Sequence, residues 1–296
     1  MTTSNDGGSA RAIMAALYQH RMATADQIHE LVSPHVRLDL TRRRLNGLRK
    51  QGVADRAVVS RRRQVWYLTD RGRAIGDDFP EMRDRTCPPA PADPFAAKMR
   101  TSHTLAVLDA HLAFLRDARK RGDEYGTLDW APEVHHRIVE QGTDSVIADA
   151  LMRYTVAGRS RALHRAFIEV DRGTMVSEDL AGKLMRYARF HQLLPMPAKH
   201  KGTVQAQSAL PAWQYYYPSF PKLLFILTGT GPAAQAQRIR DMQILAKNSP
   251  LVARMFQAQV RAGAVSLKDI EEQGPSAPIW TSLTDQSRPA CSWTEL

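Results

Sequence analysis

The stretch that most constrains the fold is Lys222 to Thr228, KLLFILT. A strand apolar on both faces needs cover above and below, so it belongs inside a sheet sandwiched by helices. The periodicity around it supplies those partners. Thr101 to Arg121 is an amphipathic helix with Leu105, Leu108, Leu112 and Leu115 on one face. Strands follow over Thr127–Val139, Ser145–Tyr154 and Arg165–Asp171, then a helix over Ser177–Leu193 with Leu180, Leu184, Tyr187 and Phe190 inward. After KLLFILT, the turn Gly229-Thr230-Gly231-Pro232 leads into a helix over Ala233–Asn248. The order is αβββαβα, which predicts an α/β domain with a mixed sheet (α+β over the whole chain).

The chain has 296 residues, 43% of them hydrophobic, enough for two domains or one large one. Pro80, Pro88, Pro89, Pro91 and Pro94 mark 77–97 as a stiff linker. The expected organisation is a first domain over 10–76, a second over 98–272, and an irregular tail over 273–296. No run of 18 apolar residues exists, which argues against a membrane-spanning helix. The polar start, Met1 to Ser9, lacks the apolar stretch of a secretion signal. Cys87 and Cys291 lie far apart, fit a reducing cytosol, and cannot by themselves form a zinc site. A cytoplasmic protein is expected.

Charge is distributed unevenly. The net charge is +11, yet the segment from Arg37 to Arg73 alone carries twelve basic residues against Asp39, Asp55 and Asp70. That segment is therefore +9 and the rest of the chain only +2. Such concentration is the footprint of a polyanion site, because each neutralised phosphate releases condensed counterions. The local pattern gives it a shape. A helix over 12–20 places Ile13, Met14, Leu17 and Tyr18 on one face. Thr24-Ala25-Asp26-Gln27 has the form of a capping box opening a second helix, which Pro34 stops. A third begins near Asp39 or Thr41, buries Leu45 and Leu48, and presents Arg42, Arg43, Asn46, Arg49 and Lys50 on its other face. Val53–Val59, the turn Ser60-Arg61-Arg62-Arg63 and Gln64–Leu68 predict a β-hairpin with arginines at its tip. Thr69-Asp70-Arg71-Gly72 closes the unit.

Three short helices and a basic hairpin, in LTRRRLNGLRKQGVADRAVVSRRRQVWYLTDRG, resemble a winged helix-turn-helix. The resemblance implies double-stranded DNA as partner, with the third helix in the major groove and the hairpin on backbone phosphates. Arg42, Arg43, Asn46, Arg49, Lys50, Arg61, Arg62 and Arg63 are the expected contacts. Arg and Asn can read guanine and adenine edges bidentately.

The second domain carries acids where apolar strands would not. Asp149 interrupts SVIADALMRY, and Glu169 and Asp171, two apart and so on one strand face, end RAFIEVDRGT. Glu133 lies on the first strand and Lys183 one to two turns into the following helix. Carboxylates on neighbouring strands are costly to bury unless paired or metal-bound. Converging ones suit Mg2+, the one cofactor the pattern suggests, with Asp149, Glu169 and Asp171 as ligands.

Asp, then Glu-x-Asp, then a helical Lys on an αβββαβ frame resembles the PD-(D/E)XK nuclease-like fold. More of the chain, about 10–280, resembles the replication-relaxation family of actinobacterial mobile elements, through HTLAVLDAHLAFL, FIEVDRGTMVSEDLAGKLMRYARF and GPSAPIW. The resemblance implies a role in replication or relaxation of plasmid DNA alongside replication or conjugation proteins. Carried over, Asp149 and Glu169 match the metal-binding acids. Lys183 is a lysine moved from strand to helix, and Glu133 matches an additional acid. With Asp171, the expected catalytic set is Asp149, Glu169, Asp171 and Lys183. Two departures stand out: Ala148 replaces the motif's proline, and Asp171 sits where it expects lysine. A cutting enzyme, a degenerate platform and a plain ion-pair network all stay open, as do a homodimer and a transcriptional regulator with a sensing or dimerising second domain.

Weaker signals favour packing. Gly229-Thr230-Gly231 lacks the lysine of a phosphate loop. His135 and His136 are adjacent on a strand and face opposite ways. Trp213, Tyr215, Tyr216 and Tyr217 could stack unpaired bases, but an interior or interface role fits better.

Overall fold

The computed structural model describes residues 4–60, 63–83, 85, 87, 94–138, 145–158, 161–173, 177–193 and 210–296. The chain divides into two compact units, Met1–Pro132 and Glu133–Leu296. It is a mixed α/β protein, as the strand and helix patterns predict.

Unit 1 contains α1 (Ser4–His20), β1 (Met22–Ala23), α2 (Ala25–Val32), α3 (Leu38–Lys50), β2 (Ala54–Ser60), β3 (Arg63–Leu68), α4 (Asp70–Asp77) and α5 (Pro94–Arg121). β3 lies between β1 and β2 in an antiparallel sheet. Ile13, Leu17, Ile28, Leu31, Leu45 and Leu48 are buried and hold the helices on a common apolar centre. The capping box forms in full: Thr24 Oγ1 accepts from the Gln27 amide at 3.2 Å, and Gln27 Oε1 accepts from the Thr24 amide at 3.0 Å. Thr69 does more than close the hairpin. Its hydroxyl caps α4 by accepting from the Gly72 amide at 3.2 Å. Gly72 itself is required there, since a Cβ would lie 2.0 Å from the Val53 carbonyl oxygen.

The segment expected as a linker starts out packed. Tyr18 donates to Asp77 at 2.5 Å, Met82 is buried, and Arg11 pairs with Glu81 at 2.6 Å. Residues 84, 86 and 88–93, with Pro88, Pro89 and Pro91, lie outside the described residues. α5 starts at Pro94, earlier than its periodicity suggests, and packs on α2 and β1. Gln27 Nε2 donates to Leu105 O and Asp109 Oδ1, at 3.2 and 2.6 Å. Arg116 pairs with Glu30 at 2.7 Å. α5 is therefore a member of unit 1, whereas composition groups it with the strands that follow.

Unit 2 is built on a six-stranded sheet in the order β4 (Trp130–Arg137), β5 (Ser145–Val156), β6 (Ala162–Asp171), β7 (Lys222–Leu227), β8 (Ala262–Ser266) and β9 (Thr281–Ser282). β5 and β6 are antiparallel, β6, β7 and β8 parallel, and β8 and β9 antiparallel. β7 is interior, and Leu223 to Leu227 are all buried, as an all-apolar strand requires. α6 (Ser177–Gln192), α7 (Pro232–Asn248) and α8 (Pro250–Gln257) pack together over one core, and α9 (Leu267–Gln273) follows β8. In that core, Leu184, Tyr187 and Phe190 of α6 join Phe167 and Phe225 of the sheet.

The tail after Gly274 departs from the irregular stretch expected. It adds β9 to the sheet and a bridge between Trp280 and Cys291. Trp293 is fully buried, edge-on to Tyr154 at 5.1 Å, and the Trp293 and Thr294 carbonyls accept from Lys222 Nζ at 3.0 and 2.7 Å. Bulky aromatic anchors pin backbone that has no periodicity of its own. No helix among the described residues is long and apolar enough to cross a membrane.

Candidate nucleic-acid interface and acidic site

α3 places its residues by period. Thr41, Leu45 and Leu48 point inward, and Arg42, Arg43, Asn46, Arg49 and Lys50 are all exposed. Several of these cations are only loosely held. Arg42 lies 3.4 Å from Asp26 and 3.8 Å from Asp39, and Arg49 donates from Nε to Asp55 at 2.8 Å. That bond, with the Arg56 amide, holds the Asp55 carboxyl below its usual range. Exposed pairs of this kind contribute about 0–1 kcal/mol and open readily for a stronger anion. Arg43 and Lys50 make no ion pair with the described residues.

The hairpin β2–β3 stands beside this helix. Arg63 is exposed at the start of β3, while Arg56 lies over the Trp66 ring at 5.7 Å and donates to Gln64 at 3.2 Å. A groove of about 690 Å³ draws lining from Arg42 and Asn46 of α3, Arg56 and Arg63 of the hairpin, and Arg116 of α5. Asp26, Glu30 and Asp109 line it too; Asp26 and Glu30 are ion-paired, and Asp109 accepts from Gln27. Arg61 and Arg62 lie outside the described residues.

The acidic site sits where β5 and β6 meet α6. The ladder pairs Ala150 with Ile168, and Asp149 is the next residue along β5. Its Oδ2 accepts from the Val170 amide at 2.7 Å and lies 3.5 Å from Lys183 Nζ. Lys183 also pairs closely with Glu169 Oε2. Glu169 Oε1 accepts from the Tyr187 hydroxyl at 2.5 Å. Lys183 and Tyr187 are one turn apart on α6, so both reach the same carboxylate. Burial pushes Glu169 up to about 7; the Asp149 charge adds to this and Lys183 opposes it. Burial also works against the Lys183 ammonium, but the two carboxylates outweigh it and hold its pKa above the usual value. Tyr187 is raised by burial and by Glu169.

Three of the four expected catalytic residues thus meet: Asp149, Glu169 and Lys183. Asp171 is committed elsewhere. Its Oδ2 accepts from Arg238 of α7 at 2.7 Å and its Oδ1 from the Gly173 amide at 3.0 Å. Glu133 is exposed on β4 with φ +52°. Tyr187, read from periodicity as a packing residue, is the site member the sequence concealed; the signal was its i,i+4 spacing from Lys183.

These residues, as arranged, do not fit Mg2+. The ion needs near-octahedral oxygens at roughly 2.0–2.1 Å and keeps several waters. Here both Glu169 oxygens already accept from Tyr187 and Lys183, and Asp149 Oδ2 accepts from Val170 and Lys183. Among the described residues no three His, Cys, Asp or Glu side chains are grouped to hold a metal ion.

The secondary candidates separate by burial. His136 is buried, stacked on Phe190 at 4.8 Å, with its Nε2 2.7 Å from the Tyr217 hydroxyl; His135 is exposed. Trp213 and Tyr217 are buried, whereas Tyr215 and Tyr216 are exposed. Gly231 is the N-cap of α7 with Pro232 at its first turn.

No curated protein and no solved structure matches the chain. The family model for replication-relaxation matches residues 14–205, more than half of the chain, spanning α3, the hairpin and the Asp149–Glu169–Lys183 group. The chain therefore belongs to the replication-relaxation family.

Proposed function

We propose that the protein binds double-stranded DNA of a plasmid or other mobile element and acts in its replication or relaxation. On this reading unit 1 is a winged helix-turn-helix. α3 enters the major groove with Arg42, Arg43, Asn46, Arg49 and Lys50, and the hairpin lays Arg61, Arg62 and Arg63 along the phosphates. Unit 2 is a nuclease-like platform whose acids are held by protein donors. The observation that carries the reading is one groove lined by Arg42 and Asn46 of α3 together with Arg56 and Arg63 of the hairpin. Two consecutive elements, the helix and the hairpin that follows it, offer cations and an amide to a single ligand there.

The test is binding of the full chain to duplexes from the element's own origin, read by fluorescence anisotropy. Asn46→Ala is expected to weaken the preferred duplex by about 1–3 kcal/mol and to leave unrelated duplexes unchanged. Equal loss on every duplex would remove α3 from base reading. Footprints confined to promoters, with none at the origin, would favour a transcriptional regulator instead.

A further inference from the structure

We infer that the Lys183 ammonium is the resident cation of the acidic site, standing where a divalent ion would bridge Asp149 and Glu169, and that the protein holds no metal there. The inference rests on three side chains of unit 2 and is independent of DNA binding by unit 1. Lys183 Nζ reaches both carboxylates, at 3.5 Å to Asp149 Oδ2 and in a closer pair with Glu169 Oε2. Its side chain is mostly buried, at 20% exposure, with Glu169 at 2% and Asp149 at 14%. Two further donors reach the same carboxylates, the Tyr187 hydroxyl at 2.5 Å and the Val170 amide at 2.7 Å.

Each donor faces an oxygen that a metal would need. A divalent ion lodged between the same carboxylates would lie within a few ångströms of the ammonium, where like charges repel strongly in a partly desolvated site. Ammonium and metal are therefore alternatives. Removing the lysine leaves two poorly hydrated carboxylates without their shared cation, the arrangement a hard cation seeks. The chain thus carries its own substitute for the metal, on a helix rather than in solution.

The experiment uses the full chain without DNA, Mn2+ as probe, and two readouts: bound Mn2+ by electron paramagnetic resonance and the thermal midpoint. For the wild type, no Mn2+ binding is expected that Asp149→Asn removes, and no shift of the midpoint. Lys183→Ala is expected to melt lower and to be raised by saturating Mn2+ on the order of 5 °C. Adding Asp149→Asn should abolish that rescue. Lys183→Met, which keeps most of the aliphatic stem, serves if the alanine variant does not fold. Asp149-dependent Mn2+ binding by the wild type would overturn the inference. So would the failure of the folded Lys183 variants to gain any binding over wild type.

Discussion

At the residue scale, the acidic site is a balance between burial and neutralisation. Glu169 is fully enclosed, and its pKa near 7 lies well above the usual carboxylate value of 4.5. The folded state therefore binds a proton that the unfolded state releases between about pH 4.5 and 7. Because the folded pKa of this acid is raised, its burial cost is absent below the unfolded pKa and complete above the folded one. The Glu169 contribution to stability should fall as pH rises through that window, against the rise contributed by buried histidines such as His136, whose pKa burial lowers to about 4, and Glu169→Gln should remove the Glu169 part of the slope. Urea unfolding of wild type and variant across pH 5–8 checks this. Equal slopes in the two proteins would refute it.

Tyr187→Phe leaves Glu169 Oε1 without its donor and should cost about 1–3 kcal/mol, measured by the same titration. The convergence of Asp149, Glu169 and Lys183 was legible because the nuclease-like resemblance names those residue types in that order. Tyr187 was not, since a tyrosine at an inward helical position reads as core, and the partner of its hydroxyl lies on a different element, the strand β6. Asp171 misled for a related reason. Strand alternation puts it on the face of Glu169, but Arg238, 67 residues later, takes it up.

At the element scale, period decided what could be read. α3 repeats its apolar residues every three to four positions, so its exposed basic face followed directly. β7 is apolar throughout, so its interior place followed too. β1, two residues long, carries no period and is defined only by pairing Met22 and Ala23 with Tyr67 and Trp66. The C-terminal segment was illegible for the same reason: its order comes from Trp280 and Trp293 seated in unit 2, not from a local pattern. Trp293→Ala should therefore destabilise unit 2 by about 3–5 kcal/mol, a large loss for a residue outside regular structure. A change within about 0.5 kcal/mol, the range of surface substitutions, would mean the segment is not anchored by that ring. Gly72→Ala belongs to the same scale. The Val53 carbonyl cannot retreat without breaking the bonds it accepts from Thr69, so α4 would be pushed off the hairpin. A lowered thermal midpoint is the expected result.

At the scale of the whole molecule, unit 1 carries +6 and unit 2 +5, but only unit 1 concentrates its charge: Arg37 to Arg73 is +9 and the rest of that unit is −3. On the proposed function, the concentrated segment of unit 1 finds the polyanion and unit 2 travels with it. α5 belongs to unit 1 through Gln27, Glu30 and their partners, although its amphipathic pattern alone is equally suited to either unit. The direct measurement is the salt dependence of duplex binding by the full chain, compared with a variant in which Arg61, Arg62 and Arg63 are all alanine. Each lost phosphate contact should reduce the slope of log K against log salt by about 0.9, so the variant should bind more weakly and respond less to salt. A wild-type protein that ignores duplex DNA at modest ionic strength, or a variant with an unchanged slope, would contradict the account.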